Sequence, residues 1–174
     1  SSPSTFPRSA ACRLRMQFTD TGGNQWVFVG SGHMIDAETV ITAGHCVYTS
    51  TFVDNGGTTR VVNDWADWVE VYPGSHQGTD NWGRADSTSV GAFTGWTNDQ
   101  DFDWDIGVIR VNRAVGMLSG WKGWAWGGSC SWVQDQFYYN FSFPSEFCGG
   151  ALHNGADMYY MDGQFDSCPG NQLH

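Results

Sequence analysis

The chain has 174 residues, 40% of them hydrophobic, enough for one large domain or two small ones with a real core, so a disordered chain is excluded. Eighteen Asp plus Glu against eight Lys plus Arg give a net charge of −10, and an acidic chain offers no basic face to displace counterions from phosphates, which argues against a nucleic-acid partner. No stretch approaches the ~18–20 apolar residues of a bilayer-spanning helix, so no membrane partner is expected.

Ten Trp, six Tyr and eleven Phe set among 23 Gly predict aromatic-rich strands joined by tight turns, hence an all-β fold. Residues 1–11 read as an extended arm, and "SSPSTFPRSA" has neither the charged start nor the apolar core of a signal peptide, which predicts a mature or processed chain. Strands are then predicted in "QWVFVGSGHMI", "TVITAGHCV", "DWVEVYPG", "SVGAFTGW", "DIGVIRV" and "DMYYMDGQF", with turns at "DNGG" (54–57) and "HNG" (153–155). One short helical turn is expected at "TAGHCVY". The strand pattern gives way to Gly and Trp in "VNRAVGMLSGWKGWAWGG", which divides the chain into an arm and first strand-rich body (1–110), a connection (111–128) and a shorter second body (129–174).

Cys12, Cys46, Cys130, Cys148 and Cys168 show no C-x-x-C pair, so structural disulfides outside the cytosol are expected in place of a zinc ribbon. Five is odd; leaving one cysteine out allows fifteen pairings, five choices times three. Cys148 and Cys168 flank an expected hairpin and would close it, while Cys46 would tie to Cys12 or to another strand.

His45 stands where a Val-Ile-Thr strand end enters a turn, the place a general base needs so that one ring nitrogen faces a nucleophile and the other a buried carboxylate. Asp105, at the mouth of the apolar strand "DIGVIRV", is the matching carboxylate, since a carboxylate there is costly unless paired. Its bland reading is a strand-capping group within "NDQDFDWD". On a strand, the alternation of Asp99, Asp101, Asp103 and Asp105 would put four carboxylates on one face, where a structural calcium would fit. An EF-hand is excluded, because Trp104 and Arg110 occupy the positions that loop reserves for Gly and an acidic residue. "NFS" at Asn140 fits a glycosylation acceptor, and His33, His76, His153 and His174 read as surface or structural residues.

"GSGHMIDAETVITAGHCV" resembles the histidine motif of trypsin-like serine proteases, a T-A-A-H-C run in which Gly44 here replaces the second Ala. "DWDIGVIRVNRAVGMLSGWKGW" is similar to the aspartate motif of the glutamyl endopeptidase branch, and "FSFPSE" and "MYYMDGQFD" resemble later segments of the same branch, so the resemblance runs from about Val27 to the C-terminus. It implies two Greek-key β-barrels with the second incomplete in this chain, an active site in the cleft between them, and a secreted serine endopeptidase acting on peptides or proteins without cofactor or metal. His45 takes the position of the base and Asp105 that of the group orienting it. Nothing takes the nucleophile's position: there is no G-x-S-G, Ser129 is followed by Cys130, and Ser167 lacks the preceding Gly. The nucleophile is therefore expected beyond this chain, on a second polypeptide cleaved after His174 that also carries the rest of the second barrel. Relatives with a Cys just before the strand leading to the histidine differ from this chain, which has Gly30 and Ser31 there. Two other function classes stay open at this level, an inactive protease-like binding protein and a Trp-rich carbohydrate-binding module.

Overall fold

The computed structural model describes residues 2–123, 129–145, 147–148 and 151–166. The first body comprises β1 (Ala11–Thr19), β2 (Gln25–Met34), β3 (Thr39–Thr42), β4 (Tyr48–Val53), β5 (Thr59–Trp65), β6 (Trp68–Pro73), β7 (Ser75–His76), β8 (Thr79–Asp80), β9 (Ala85–Ala92), the helix α1 (Thr94–Asp99) and β10 (Gly107–Val111). Six of the strands close into an antiparallel barrel in the order β1-β2-β3-β10-β9-β6. Closure leaves these strands no free edge.

The barrel interior follows from period-2 alternation. In β1, Leu14, Met16 and Phe18 point inward and are at most 2% exposed, while Arg13, Arg15 and Gln17 alternate with them. Met34, Val40, Val69, Val71 and Ile109 complete the core, and burying each such side chain contributes roughly 1.5–3 kcal/mol. Arg15 pairs with Glu70 on the neighbouring β6 at 2.8 Å, so the outward face of this strand pair carries ions where the inward face carries hydrocarbon. The β4–β5 hairpin turns where "DNGG" predicts: Asp54 Oδ1 accepts from Gly56 N and Thr58 N, both at 2.9 Å, and Gly57 adopts the positive φ of 78° that favours glycine.

The connection carries α2 (Gly116–Ser119), and the second body contains α3 (Cys130–Gln134), β11 (Tyr138–Ser142), β12 (Phe147–Cys148), β13 (Ala151–Leu152) and β14 (Tyr159–Gly163). β11 pairs with β14, and β12 with β13. The segment expected to form one hairpin between Cys148 and Cys168 therefore supplies strands to two different pairs. The "HNG" turn explains the break: Gly155, at φ 71°, lies so tightly against Val29 of β2 that no side chain fits, and its N–H donates to Pro144 O. Phe141 and Phe143 pack with Ala11 and Met158, and Phe143 N donates to Ser31 Oγ at 2.8 Å, which seats this body on the first barrel.

Two other expectations are corrected. The segment expected as an extended arm is folded over residues 2–10: Arg8 N and Ser9 N both donate to Thr5 O, Arg8–Ala10 form a 3₁₀ turn, and Ser9 and Ala10 are buried. The acidic run is not a strand either. α1 covers 94–99 and a 3₁₀ turn covers Phe102–Trp104, capped by Asp101 Oδ1 accepting from Asp103 N at 3.0 Å, so the four carboxylates do not share a face.

Candidate active site

β3 ends at Thr42 and the chain turns through a 3₁₀ segment, Gly44–Cys46, closed by Cys46 N to Ala43 O and Val47 N to Gly44 O. Cys46 and Val47 are drawn into the core, which turns the His45 side chain outward, 56% exposed. On the adjacent strand β10, Gly107 lies opposite Thr42. Asp105, two residues before Gly107, is thereby carried beside His45, three residues after Thr42.

The contact is double. Asp105 Oδ1 accepts from the His45 backbone N–H at 2.8 Å, and Oδ2 lies 2.8 Å from His45 Nδ1. One carboxylate thus fixes both the turn and the ring. Since an ionised carboxylate can only accept, Nδ1 carries a proton, and once the ring is neutral Nε2 holds the lone pair a general base needs. Burial pushes Asp105 upward, but hydrogen bonds from the His45 ring and backbone outweigh it and hold its carboxyl below the ordinary value. The Asp105 hydrogen bond, with the Cys46 thiol adding to it, raises His45 from 6.5 to about 10.

Trp96, from α1, is a site residue that the motifs do not reveal. It is 4% exposed, its Nε1–H donates to Tyr48 O at 2.9 Å, and its ring meets the His45 ring edge-on at 6.2 Å. It also accounts for Gly44: a Cβ there would stand 2.7 Å from Trp96 Cδ1 and 3.0 Å from Asp105 Oδ1. The only sequence signal was the missing methyl before His45. Phe102 packs on Trp96 at 5.6 Å and Phe93 on Trp104 at 5.5 Å, extending an aromatic wall along this flank.

No serine hydroxyl among the described residues is hydrogen-bonded to the His45 ring. Ser129 caps α3 instead, accepting from Trp132 N, and Ser167 lies outside the described residues. Ser31 and Ser145 line the pocket that His45 borders, and Ser31 Oγ is already engaged by Phe143 N. The other histidines are placed as follows. His33 is driven down to about 4 by burial, with Lys122 nearby and a hydrogen bond to Asn140 opposing the shift; His76 Nδ1 accepts from Met158 N; His153 packs on Tyr159; His174 lies outside the described residues.

Cys12 and Cys46 are free and buried, so the expected Cys46–Cys12 tie is not formed. The position that would face the Cys46 sulfur is Gly30, where a Cβ would stand 2.9 Å from Sγ. Burial pushes the Cys12 thiol up to about 12. The expected Cys148–Cys168 closure lies outside the described residues, since neither side chain is among them. Among the described residues, no group of three or more His, Cys, Asp or Glu is placed to hold a metal ion.

No family model matches the chain. Over 124 residues, 71% of its length, it is 30% identical to an extracellular metalloprotease of Bacillus subtilis (strain 168), and it spans 35% of that relative. Among solved structures it superposes on a Glu endopeptidase with a TM-score of 0.66 at 18% identity, covering 95% of this chain and 66% of that one. A protease from Arthrobacter nicotinovorans gives 0.68 at 19% identity over 94% and 67%, and a thermostable serine protease from an extremophilic microorganism gives 0.69 at 20% over 95% and 70%. The fold is the chymotrypsin-like β-barrel fold of these serine proteases.

Proposed function

We propose that this chain carries the general base and its orienting carboxylate for a secreted serine endopeptidase. The observation that carries the reading is the pair of 2.8 Å contacts by which Asp105 holds the backbone and the ring of His45. The reaction is acyl transfer. A serine outside the described residues attacks the scissile carbonyl while its proton passes to His45 Nε2, and His45 then gives that proton to the leaving amine. Water repeats the cycle on the acyl-enzyme. Asp105 keeps Nδ1 protonated throughout and stabilises the imidazolium formed between the two transfers.

The serine is supplied by sequence outside the described residues, on this polypeptide or on a second one that completes the second barrel, and substrates are peptides or proteins, with cleavage beside glutamate as the preference suggested by the Glu endopeptidase neighbour. The extracellular relative supports secretion. That relative's name also raises a metal, but the donors fit poorly: His45 Nδ1 is engaged by Asp105, and no cluster of metal-ligating side chains stands among the described residues. No step is routed through a metal.

A second reading, an inactive protease-like binding protein, draws on the absence of any described serine bonded to His45. A serine-directed fluorophosphonate, followed by intact-mass spectrometry of the protein from its native host with and without reductant, separates the two. The protease reading requires one phosphonylated serine, and reduction or denaturation shows whether a separate polypeptide bears it; a protein with no phosphonate-reactive serine refutes it.

A further inference from the structure

Beside His45, on the side of Ala43 and Cys46, the structure contains a pocket of about 630 Å³. This lies within the range of about 300–1,000 Å³ typical of ligand pockets. Phe18, Phe28, Phe52 and Phe143 line it with Met16, while Ser31, Thr49, Thr51 and Ser145 supply its polar atoms. The rings form a connected set, with Phe28 meeting Phe18 at 6.1 Å and Phe52 at 4.8 Å, both edge-on. Both bodies contribute: β2 and β4 from the first barrel, and Phe143–Ser145 from the second body, tied down through the Phe143 N to Ser31 Oγ bond.

We propose that this pocket binds a bulky apolar side chain of the peptide substrate, preferentially aromatic, at a position within two residues of the scissile bond. The inference rests on the endopeptidase reading and adds a specificity determinant to it. Three features carry it. His45 is on the pocket wall, so a side chain held there belongs to a backbone passing the base. No Lys, Arg, Asp or Glu lines the pocket, so a charged side chain would be desolvated without an opposite charge to meet it. Four phenylalanine side chains around the space favour an aromatic occupant. Gly30 keeps the space open: a Cβ there would lie 2.9 Å from both Cys46 Sγ and Met16 Cε.

Cys46 supplies a test independent of catalysis, because its free thiol lines the same pocket. In thiol–disulfide exchange the Cys46 thiolate attacks one sulfur of a small symmetrical disulfide, the S–S bond breaks, and the second half leaves as thiolate. The folded protein is equilibrated with bis(2-phenylethyl) disulfide, bis(2-hydroxyethyl) disulfide or cystamine at equal thiol-to-disulfide ratio, and the adduct at Cys46 is quantified by peptide mass mapping against Cys46→Ser. The phenylethyl adduct should be favoured about tenfold or more over the other two, and Thr51→Trp, which fills the pocket from an exposed hairpin position, should erase that preference. Equal capture of all three, or no capture because the protein's own chain fills the space, overturns the proposal while leaving the endopeptidase reading intact. A retained preference in a protein with no phosphonate-reactive serine refutes the endopeptidase reading and the substrate role, and leaves an apolar ligand site. In the active enzyme, cleavage of a peptide library should be enriched for Phe, Tyr or Trp at one position near the scissile bond, and Thr51→Trp should lower that enrichment about tenfold; an unchanged profile overturns the assignment.

Discussion

Gly30→Cys should form a disulfide with Cys46 and stabilise the first barrel. A Cβ built on Gly30 lies 2.9 Å from Cys46 Sγ and 4.0 Å from Cys46 Cβ, and the latter falls inside the 3.5–4.5 Å range of natural disulfides. Gly30 does not have a positive φ, so a side chain is tolerated there. The bridge closes a loop of 17 residues, counting 30 through 46, for which loss of unfolded-state entropy gives about 3 kcal/mol. Against this stands Met16 Cε, 2.9 Å from the new Cβ; it ends a flexible thioether, so its displacement costs about 1 kcal/mol. The net of about 2 kcal/mol corresponds to a rise of about 4–8 °C in Tm for a chain of this size. Calorimetry of the oxidised and reduced variant, with non-reducing peptide mapping, reads both quantities. If both thiols alkylate without reductant, or the oxidised form melts no higher than the reduced one, the placement of Gly30 against Cys46 is wrong.

Asp105→Asn should leave the fold intact, because the amide oxygen still accepts from His45 N, but its NH₂ would face Nδ1 and force the wrong tautomer; kcat should fall by roughly 10⁴, the order known for that change in a Ser-His-Asp triad, and near wild-type turnover would make Asp105 structural. In the wild type, kcat/KM should rise with pH along a limb displaced above 6.5 and short of about 10, since Asp105 raises His45 while its half-exposed ring is screened by water; a midpoint at or below 6.5 contradicts the pairing. The same raised value means that the stability His45 contributes is fully present below about pH 6.5 and is lost as pH climbs through its folded value, which thermal melts of His45→Gln against wild type from pH 6 to 10 would follow. Asp20, which accepts from Asn24 side chain and backbone, Trp26 Nε1 and Gly22 N, is lowered to about 2, so its contribution is present above about pH 3.8 and disappears as pH falls toward 2; Asp20→Asn should flatten the acid limb of Tm against pH, and an unchanged limb refutes it.

The pairing of His45 with Asp105 was legible because each sits at the end of a strand whose apolar residues announce it, and the register of β3 against β10 brings those ends together. Other features were hidden for physical reasons. β1 carries no apolar run, since Arg13 and Arg15 interrupt Leu14 and Met16; only its alternation marks it as a barrel strand. "SVGAFTGW" reads as one strand, yet the strand stops at Ala92 and a helix begins at Thr94, which is how Trp96 reaches His45. The Asp run has a period of two without being extended, because Asp101 caps a turn, and turn-capping carboxylates reproduce the spacing of a strand face. The free state of Cys46 follows from what Gly30 lacks, a three-dimensional neighbour that spacing alone does not pair with it.

Among the described residues, every group that orients His45 comes from one barrel and its appended helix. The backbone turn is held by Asp105 Oδ1, the ring by Oδ2, and the flank by Trp96, itself anchored to Tyr48 O of β4. None of these contacts involves β11–β14. On the endopeptidase reading proposed above, His45 and Asp105 are thus preorganised as base and carboxylate within the first body, and a serine would have only to reach Nε2 without reshaping it. The proposed side-chain pocket differs in kind, because Phe143 and Ser145 form part of its wall. Shifts of the second body relative to the barrel should therefore change which substrate is held far more than they change the alignment of the proton-transfer pair.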